Sequence, residues 1–120
     1  EMSYAYAATI DRVIDGDTLL VLVEAGFGII VRDRLRLRGI NTPELGTPGG
    51  GRAKKFVEKL LPAGSTIVVK SHKSKTDIHG RFVVDVFYRK GVEDAREIIK
   101  DGEYLNQILL DEGLAVRYGG

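Results

Sequence analysis

The chain has 120 residues, 43% of them hydrophobic and 29% charged, which is the composition of one globular domain rather than of a disordered segment. Its formal net charge of +1 argues against a protein that coats nucleic acid non-specifically, because such binding depends on many Lys and Arg contacts to phosphate. Cysteine is absent, which excludes disulfides, thiol catalysis and cysteine-ligated zinc. We expect a single domain over residues 1–120, with any anion-binding site confined to a small area.

The sequence does not assign a compartment, because chains without cysteine occur in both reducing and oxidising locations. Residues 1–8 have neither the basic region nor the apolar core of an intact signal peptide. No apolar run is long enough to span a bilayer. We expect a protein that does not enter the membrane, needs no obligate protein partner and acts as a monomer.

The first third of the chain predicts three consecutive antiparallel strands. Residues 9–14 and 18–23 flank an Asp-Gly-Asp turn, and a glycine-rich link at residues 25–28 leads into residues 29–37. In the third strand a two-residue period separates apolar side chains from basic ones. The apolar set is Ile29, Val31, Leu35 and Leu37, and the basic set is Arg32, Arg34, Arg36 and Arg38. Of the arginines we expect only Arg36 to be functional, with the others as surface residues or structural partners.

The middle of the chain predicts a loop and then a helix. Residues 45–51 contain Pro48 and three successive glycines, a composition that favours a mobile loop over regular structure. Apolar residues then recur at helical spacing until Pro62-Ala63-Gly64 ends the helix. These apolar residues are Ala53, Phe56, Val57, Leu60 and Leu61.

The last part of the chain predicts further strands and a second helix. Residues 65–70 and 82–88 are typical of strands, with a polar loop between them. Residues 92–100 fit either a short helix or a hairpin that closes through Asp101-Gly102. Residues 106–112 predict a helix, and residues 114–118 a return to the sheet.

Four short segments carry the residues that indicate chemistry. They are Asp15-Gly16-Asp17-Thr18, Arg36, Asn41-Thr42-Pro43-Glu44 and Asp77-Ile78-His79-Gly80-Arg81. Hard cations such as calcium prefer oxygen ligands, and guanidinium groups bind phosphate oxygens in pairs. The pattern therefore suits cleavage of a phosphodiester beside a divalent cation. Each segment also has a plainer interpretation: a tight turn, a solvated strand face, a helix-entry signal, and an ion pair of Arg81 with Asp77 or Asp85.

In their order along the chain, these segments resemble the staphylococcal nuclease family. That family has an Asp-Gly-Asp-Thr segment, a strand arginine, an Asp-Thr-Pro-Glu-like corner and a later Gly-Arg. The match also takes in residues 106–115, where Asn-x-x-Leu is followed by Gly-Leu-Ala. The resemblance implies a β-rich α+β fold, namely an OB-fold with a five-stranded antiparallel barrel flanked by two or three helices.

The resemblance also implies a calcium-dependent phosphodiesterase that hydrolyses DNA, RNA or both. Asp17, Asn41 and the backbone carbonyl of Thr42 would bind the Ca²⁺ ion. Arg36 and Arg81 would clamp the scissile phosphate, and Glu44 would hold or activate the attacking water. Three further positions complete the implied site: Asp15 would support Asp17, and His79 and Tyr118 would contact the substrate.

Asn41 is the main departure from the family pattern, because the prototype has an aspartate at this position. An amide oxygen still coordinates calcium, but the lost negative charge predicts weaker binding or a different preferred cation. This departure leaves open an OB-fold domain that binds single-stranded nucleic acid without cleaving it. A third hypothesis is a protein-interaction domain that retains only the scaffold.

Overall fold

The computed structural model describes residues 3–76 and 82–118. The predicted site residues His79 and Arg81, and the neighbouring Asp77, lie outside this range. Within it, the strands are β1 (Ser3–Asp15), β2 (Thr18–Gly26), β3 (Ile29–Leu37), β4 (Ile40–Asn41), β5 (Thr66–Thr76), β6 (Phe82–Tyr88), β7 (Glu103–Tyr104) and β8 (Val116–Arg117). The helices are α1 (Pro48–Leu60), α2 (Ala95–Asp101) and α3 (Leu105–Asp111). In these two stretches no helix has the length and apolar content needed to cross a membrane.

Five of the strands form a closed ring. The main sheet has the order β3-β2-β1-β5-β6-β7, and β3 also pairs with β6. The pairing of β3 with β6 joins Leu35 to Phe82 and Leu37 to Val84, and it is parallel, whereas the other pairings within the ring are antiparallel. The predicted OB-like fold, a β-rich barrel flanked by helices, is confirmed.

The core fills the ring and continues under the helices. Alternate residues of the strands point inward, and Leu19, Val21 and Leu37 are almost completely buried. Helix α1 adds Val57 and helix α3 adds Leu109 to the same cluster. Each such side chain contributes about 1.5–3 kcal/mol relative to an exposed one, so the apolar face of each helix is what attaches it to the barrel.

The third strand is only half buried, which the two-residue period did not indicate. Leu35 and Leu37 are 3% and 1% exposed, whereas Ile29 and Val31 are 54% and 41% exposed. The first half of β3 belongs to a hairpin with β2 whose apolar residues remain in solvent.

The predicted loop over residues 45–51 is wrong in its second half, because helix α1 begins at Pro48. The side chain of Thr47 caps the helix by accepting a hydrogen bond from the Gly50 N–H, and Pro48 suits the first helical turn because it needs no donor there. A cap and a proline at the first position thus outweigh the low helix propensity of three glycines.

The end of the chain resolves one open alternative and corrects one prediction. Residues 95–101 form helix α2, and the strand after Gly102 pairs with β6 rather than folding back on the preceding residues. Residues 116–117 do form a strand, but it pairs with β4 in a separate two-stranded sheet. The predicted return of residues 114–118 to the main sheet is therefore wrong.

Candidate functional site

The turn between β1 and β2 packs tightly against helix α1 and the β4–α1 connection. Asp15 Oδ1 accepts a hydrogen bond from the Asp17 N–H at 3.0 Å. Gly16 is buried, and a Cβ at its position would lie 2.7 Å from the Ala53 Cβ and 2.9 Å from the Thr42 Cγ2. No larger residue fits without displacing these neighbours, so Gly16 allows Asp17 to approach Thr42.

The carboxylate of Asp17 is the buried centre of the site, with 9% of its side chain exposed. Its Oδ2 accepts a hydrogen bond from the Thr42 N–H at 2.9 Å and forms an ion pair with Arg36 Nη1 at 2.8 Å. Its Oδ1 lies 3.3 Å from the Thr18 hydroxyl, which donates to it. Both oxygens are therefore oriented by the protein.

The two acids of the turn have opposite pKa shifts. Burial raises the pKa of Asp15, and the hydrogen bond and negative charge of Asp17 raise it further. Burial also acts to raise the pKa of Asp17, but hydrogen bonds from Asp15 and from the Thr42 N–H and the charge of Arg36 outweigh it, so this pKa is lowered. Asp17 is thus the member of the pair whose charged form the folded protein stabilises.

Arg36 joins the strand, the turn and the β4 corner. Besides its ion pair with Asp17, its Nη2 donates to Asn41 Oδ1 at 2.9 Å, and its Nη1 lies 3.5 Å from the Leu37 carbonyl oxygen. The ring of Tyr118 lies 6.0 Å from the Arg36 Cζ, at the limit of a cation–π contact. Only 12% of the side chain is exposed. Arg36 is therefore held in one orientation by side chains from β1–β2, β4 and the end of the described chain.

Glu44 is exposed and lies at the start of the turn that enters helix α1. Its backbone carbonyl accepts hydrogen bonds from the N–H and the hydroxyl of Thr47, at 3.2 and 2.6 Å. A Cβ on Gly50 would lie only 2.0 Å from that carbonyl oxygen. The backbone that carries Glu44 is thus placed by the first turn of α1.

The structure brings together many of the predicted site residues. Direct hydrogen bonds and the ion pair of Arg36 with Asp17 link five of them, and Tyr118 lies over Arg36. The five are Asp15, Asp17, Arg36, Asn41 and Thr42. Glu44 follows Thr42 by two residues, but its carboxylate is not part of this bonded group.

The oxygen atoms at the site are of the type that hard cations bind. Carboxylate, amide and backbone carbonyl oxygens are the ligands that Ca²⁺ prefers. Asp17, Asn41 and Thr42 supply one of each, so the residue types fit calcium. Over residues 3–76 and 82–118, no group of three or more His, Cys, Asp or Glu side chains is arranged to hold a metal ion. The negative charge around such an ion would come from few carboxylates.

Of the other three arginines of the row, Arg32 and Arg38 have ion-pair partners and Arg34 is exposed. Arg32 pairs with Asp11 at 2.8 Å, in an exposed ion pair. Arg38 donates to both oxygens of Asp85, whose Oδ1 also accepts a hydrogen bond from the Tyr104 hydroxyl. The sequence suggested this buried acid only as a partner of Arg81, although an aspartate within the apolar run of β6 is unusual enough to indicate a specific structural partner.

Comparison with known proteins places these residues in a family context. The family model described as staphylococcal nuclease homologue matches residues 34–119, which include Arg36, Asn41, Thr42 and Glu44 but not the β1–β2 turn. A protein from Capnoides sempervirens, described as an uncharacterized 38.1 kDa protein, is 33% identical over 85 residues. That match covers 71% of this chain but only 21% of the relative, so the chain spans about a fifth of the relative's length.

Proposed function

Because the chain belongs to the staphylococcal nuclease homologue family, we propose that it is a cation-dependent phosphodiesterase that hydrolyses DNA, RNA or both. Family membership supports a nuclease or nucleic-acid-binding function, and the site supports the hydrolytic form of it. The observation that carries the proposal is the geometry of Arg36. Its guanidinium lies 2.8 Å from the buried Asp17 carboxylate and 2.9 Å from the Asn41 amide oxygen. An arginine held this firmly presents a permanent positive charge at a defined point, as a phosphate-binding group requires.

The proposed cation is Ca²⁺, held by the Asp17 carboxylate, the Thr42 carbonyl and the Asn41 amide oxygen. When bound, a divalent cation would neutralise charge on the phosphate and favour ionisation of a nearby water. Asp17 suits this role because its lowered pKa keeps it ionised. Asp15 supports it by accepting the Asp17 N–H, which fixes the turn.

The remaining roles belong to residues around this group. Arg36 would bind equatorial oxygens of the scissile phosphate, with Arg81 as the second guanidinium. Glu44 would orient the attacking water, for which its exposed position leaves room. His79 and Tyr118 would contact the nucleotide, and 59% of Tyr118 is exposed for such a contact. All these residues belong to one chain, so the proposed activity needs no second subunit.

One observation favours the alternative of a binding domain with weakened catalysis. Asn41 contributes no negative charge, its oxygen already accepts a hydrogen bond from Arg36, and Asp17 already forms an ion pair with the same guanidinium. A cation at this site would compete with the guanidinium for both oxygens. That competition predicts a low cation affinity. Asn41→Asp would restore part of this affinity by adding a negative charge.

A cleavage assay on single-stranded DNA and RNA tests the proposal. We expect cleavage in calcium and none with a chelator. Glu44→Gln should lower the rate by about 10²- to 10⁴-fold, as loss of a general base does. Arg36→Lys should lower it by about 10²- to 10³-fold, because an ammonium cannot reproduce the paired hydrogen bonds.

Two exposed residues provide matched controls: Glu58→Gln on helix α1 and Arg34→Lys on β3 should both cleave like the wild type. Equal cleavage by the wild type and Glu44→Gln contradicts the catalytic role. Calcium-independent binding of single strands without cleavage, together with cleavage by Asn41→Asp, establishes the alternative instead.

A further inference from the structure

The hairpin of β2 and β3 ends in an unusual turn. Gly26 pairs with Ile29, so Phe27 and Gly28 form a two-residue loop, and their φ angles are 55° and 74°. Two successive positive φ angles are typical of a type I′ turn, for which Asn-Gly is the preferred sequence. A bulky residue is strained in the left-handed region, and Phe27 is nevertheless fully exposed there. Neither the core nor the turn geometry explains a phenylalanine at this position.

The strand after this turn presents an apolar edge. Ile29, Ile30 and Val31 are 54%, 58% and 41% exposed. Among the described strands, β6 meets β3 only from Leu35 to Leu37, and no strand pairs with the outer edge over residues 29–34. Edge strands are normally protected by lysine, proline or a bulge on that edge, and residues 29–31 have none of these. In the part of the chain that the structure describes, the edge over residues 29–31 is therefore open to pairing with another strand.

An apolar cavity lies beside this strand. Its volume is about 250 Å³, and its lining includes Tyr6, Val23, Val31, Leu35, Phe82 and Val84. An apolar cavity of about 150 Å³ accommodates a benzene ring, so this one is large enough for an aromatic side chain. The molecule thus has an exposed phenylalanine and, at the same end of the barrel, a hole that matches it.

We propose that the occupant of this edge and cavity is a second copy of the chain. In an antiparallel pairing about a two-fold axis through Ile30, Ile29 lies opposite Val31 of the second copy, and the two Ile30 residues face each other. The same register places Phe27 opposite Asp33 of the second copy, which lines the cavity between Val31 and Leu35. A single two-fold interface places Phe27 of each copy against the cavity of the other, which is the reciprocal contact that an isologous dimer requires.

The surrounding charges argue against a lipid surface, and the available area fits a weak dimer. Glu24 and Asp33 balance Arg32 and Arg34 near the apolar tip, and Arg32 is already paired with Asp11. Attachment to anionic lipid needs a predominantly basic rim instead. Burial of Phe27 removes roughly 150–250 Å² per copy, and the three strand residues add to this, against the roughly 800 Å² per partner of a standard interface. The interface is therefore at the small end, and we expect a weak, concentration-dependent dimer.

Sedimentation velocity over a wide range of protein concentration tests this proposal. We expect a reversible monomer–dimer equilibrium for the wild type. Phe27→Asn should abolish the dimer, and its Tm should equal or exceed that of the wild-type monomer because asparagine is favoured in a type I′ turn. Ile30→Lys should also abolish it, since two ammonium groups would face each other across the axis. A matched control is Ile99→Ser, which removes an apolar side chain of similar exposure from helix α2 and should leave the dimer intact.

Three results would overturn the proposal: a wild type that stays monomeric at every concentration, a dimer that survives both hairpin substitutions, or a dimer that Ile99→Ser weakens equally. Binding of a monomeric wild type to anionic vesicles or single-stranded DNA through Phe27 would also overturn it by identifying another occupant. The interface lies apart from the residues proposed for hydrolysis, so dimerisation and cleavage can fail independently. Phe27→Asn is expected to retain any nuclease activity of the wild type.

Discussion

Individual side chains at this site are positioned by charge as much as by packing. Arg36 lies between a carboxylate and an amide, and Asp17 has its pKa lowered by hydrogen bonds and by that guanidinium despite its burial. Asp15 is next to the same carboxylate but has no cation of its own, and its pKa is raised. Two acids separated by one glycine therefore have opposite pKa shifts, because hydrogen bonds from Asp15 and from the Thr42 N–H, and the charge of Arg36, stabilise only the Asp17 carboxylate.

Asp15→Asn should stabilise the protein at neutral pH. The folded state raises the pKa of Asp15 above its ordinary value of 3.8, so its charged form disfavours folding. The asparagine removes this penalty while its Oδ1 can still accept the Asp17 N–H. The gain should be below about 1 kcal/mol, because Asp15 is only half buried and solvent screens its charge.

The pH dependence separates this explanation from a packing effect. Below pH 3.8 the wild-type carboxyl is protonated in both the folded and the unfolded state, so the two proteins should have equal Tm. The difference should grow as the pH rises through the raised pKa and then level off. Thermal unfolding from pH 3 to pH 8 measures this, and a constant difference across the range contradicts the electrostatic explanation.

At the scale of elements, the first two turns of helix α1 place both halves of the site. Gly16 of the β1–β2 turn contacts Ala53 on this helix, and Gly50 faces the Glu44 carbonyl. Three glycines weaken a helix in isolation, since each costs about 1 kcal/mol relative to alanine. The contacts explain why at least the second of them is required: the helix could not approach the Glu44 corner with a side chain at that position.

Gly50→Ala should therefore destabilise the protein by about 2 kcal/mol or more, as overpacking of a buried contact does. It should also lower any cleavage activity, because the corner that carries Glu44 must move. Urea unfolding and the cleavage assay measure the two effects. Gly51→Ala is the matched control: a Cβ there meets nothing within 4 Å, so alanine should stabilise the helix by up to about 1 kcal/mol. Similar losses in both variants would mean that helix propensity, and not the contact, matters.

Across the whole molecule, the barrel closes where β3 meets β6, and helix α3 secures this junction. Asn106 of α3 is buried and donates to the carbonyls of Arg38 and Val84, while its Oδ1 accepts from the Val86 N–H. The Val84 carbonyl also accepts the Arg38 N–H at 2.8 Å. One side chain thus connects the last helix, the closing strand and the chain segment just after β3.

Asn106→Ala should lower the free energy of unfolding by about 3 kcal/mol, because it leaves the Val86 N–H and the Arg38 carbonyl without the amide that pairs with them. Arg36 is one of the β3 residues that pair with β6 at this junction. Loosening the junction should therefore lower any nuclease activity at temperatures where the fold is still intact. Denaturant unfolding measures the stability effect. Gln107→Ala, which removes only an exposed hydrogen bond to Asp111, should change stability by less than about 0.5 kcal/mol. A small effect of Asn106→Ala would show that water replaces the amide.

The five strands of the ring and two of the helices could be predicted because they rest on periodicity and on local end signals, whereas the OB-like fold was implied by the resemblance of the motifs to a known family. A two-residue alternation identified β3 and a helical spacing identified α1, and both depend only on neighbours along the chain. The prediction failed at Pro48, where the cap on Thr47 and a tertiary contact override glycine propensity. It failed again at residues 116–117, because the partner of a two-residue strand is chosen by proximity in space rather than by its own composition.

The sequence by itself determined which residue types are present for a site: the acids, the arginines and the corner that resemble a nuclease. Only the tertiary structure decided that Arg36 holds Asp17 and Asn41 together, and that Arg38 pairs with Asp85 instead. It also decided that half of β3 leaves the core and presents Phe27 to solvent. The reason is physical: alternation along a strand specifies which side a residue faces. Its partner on that side belongs to another segment of the chain, and only the folded structure brings the two segments together.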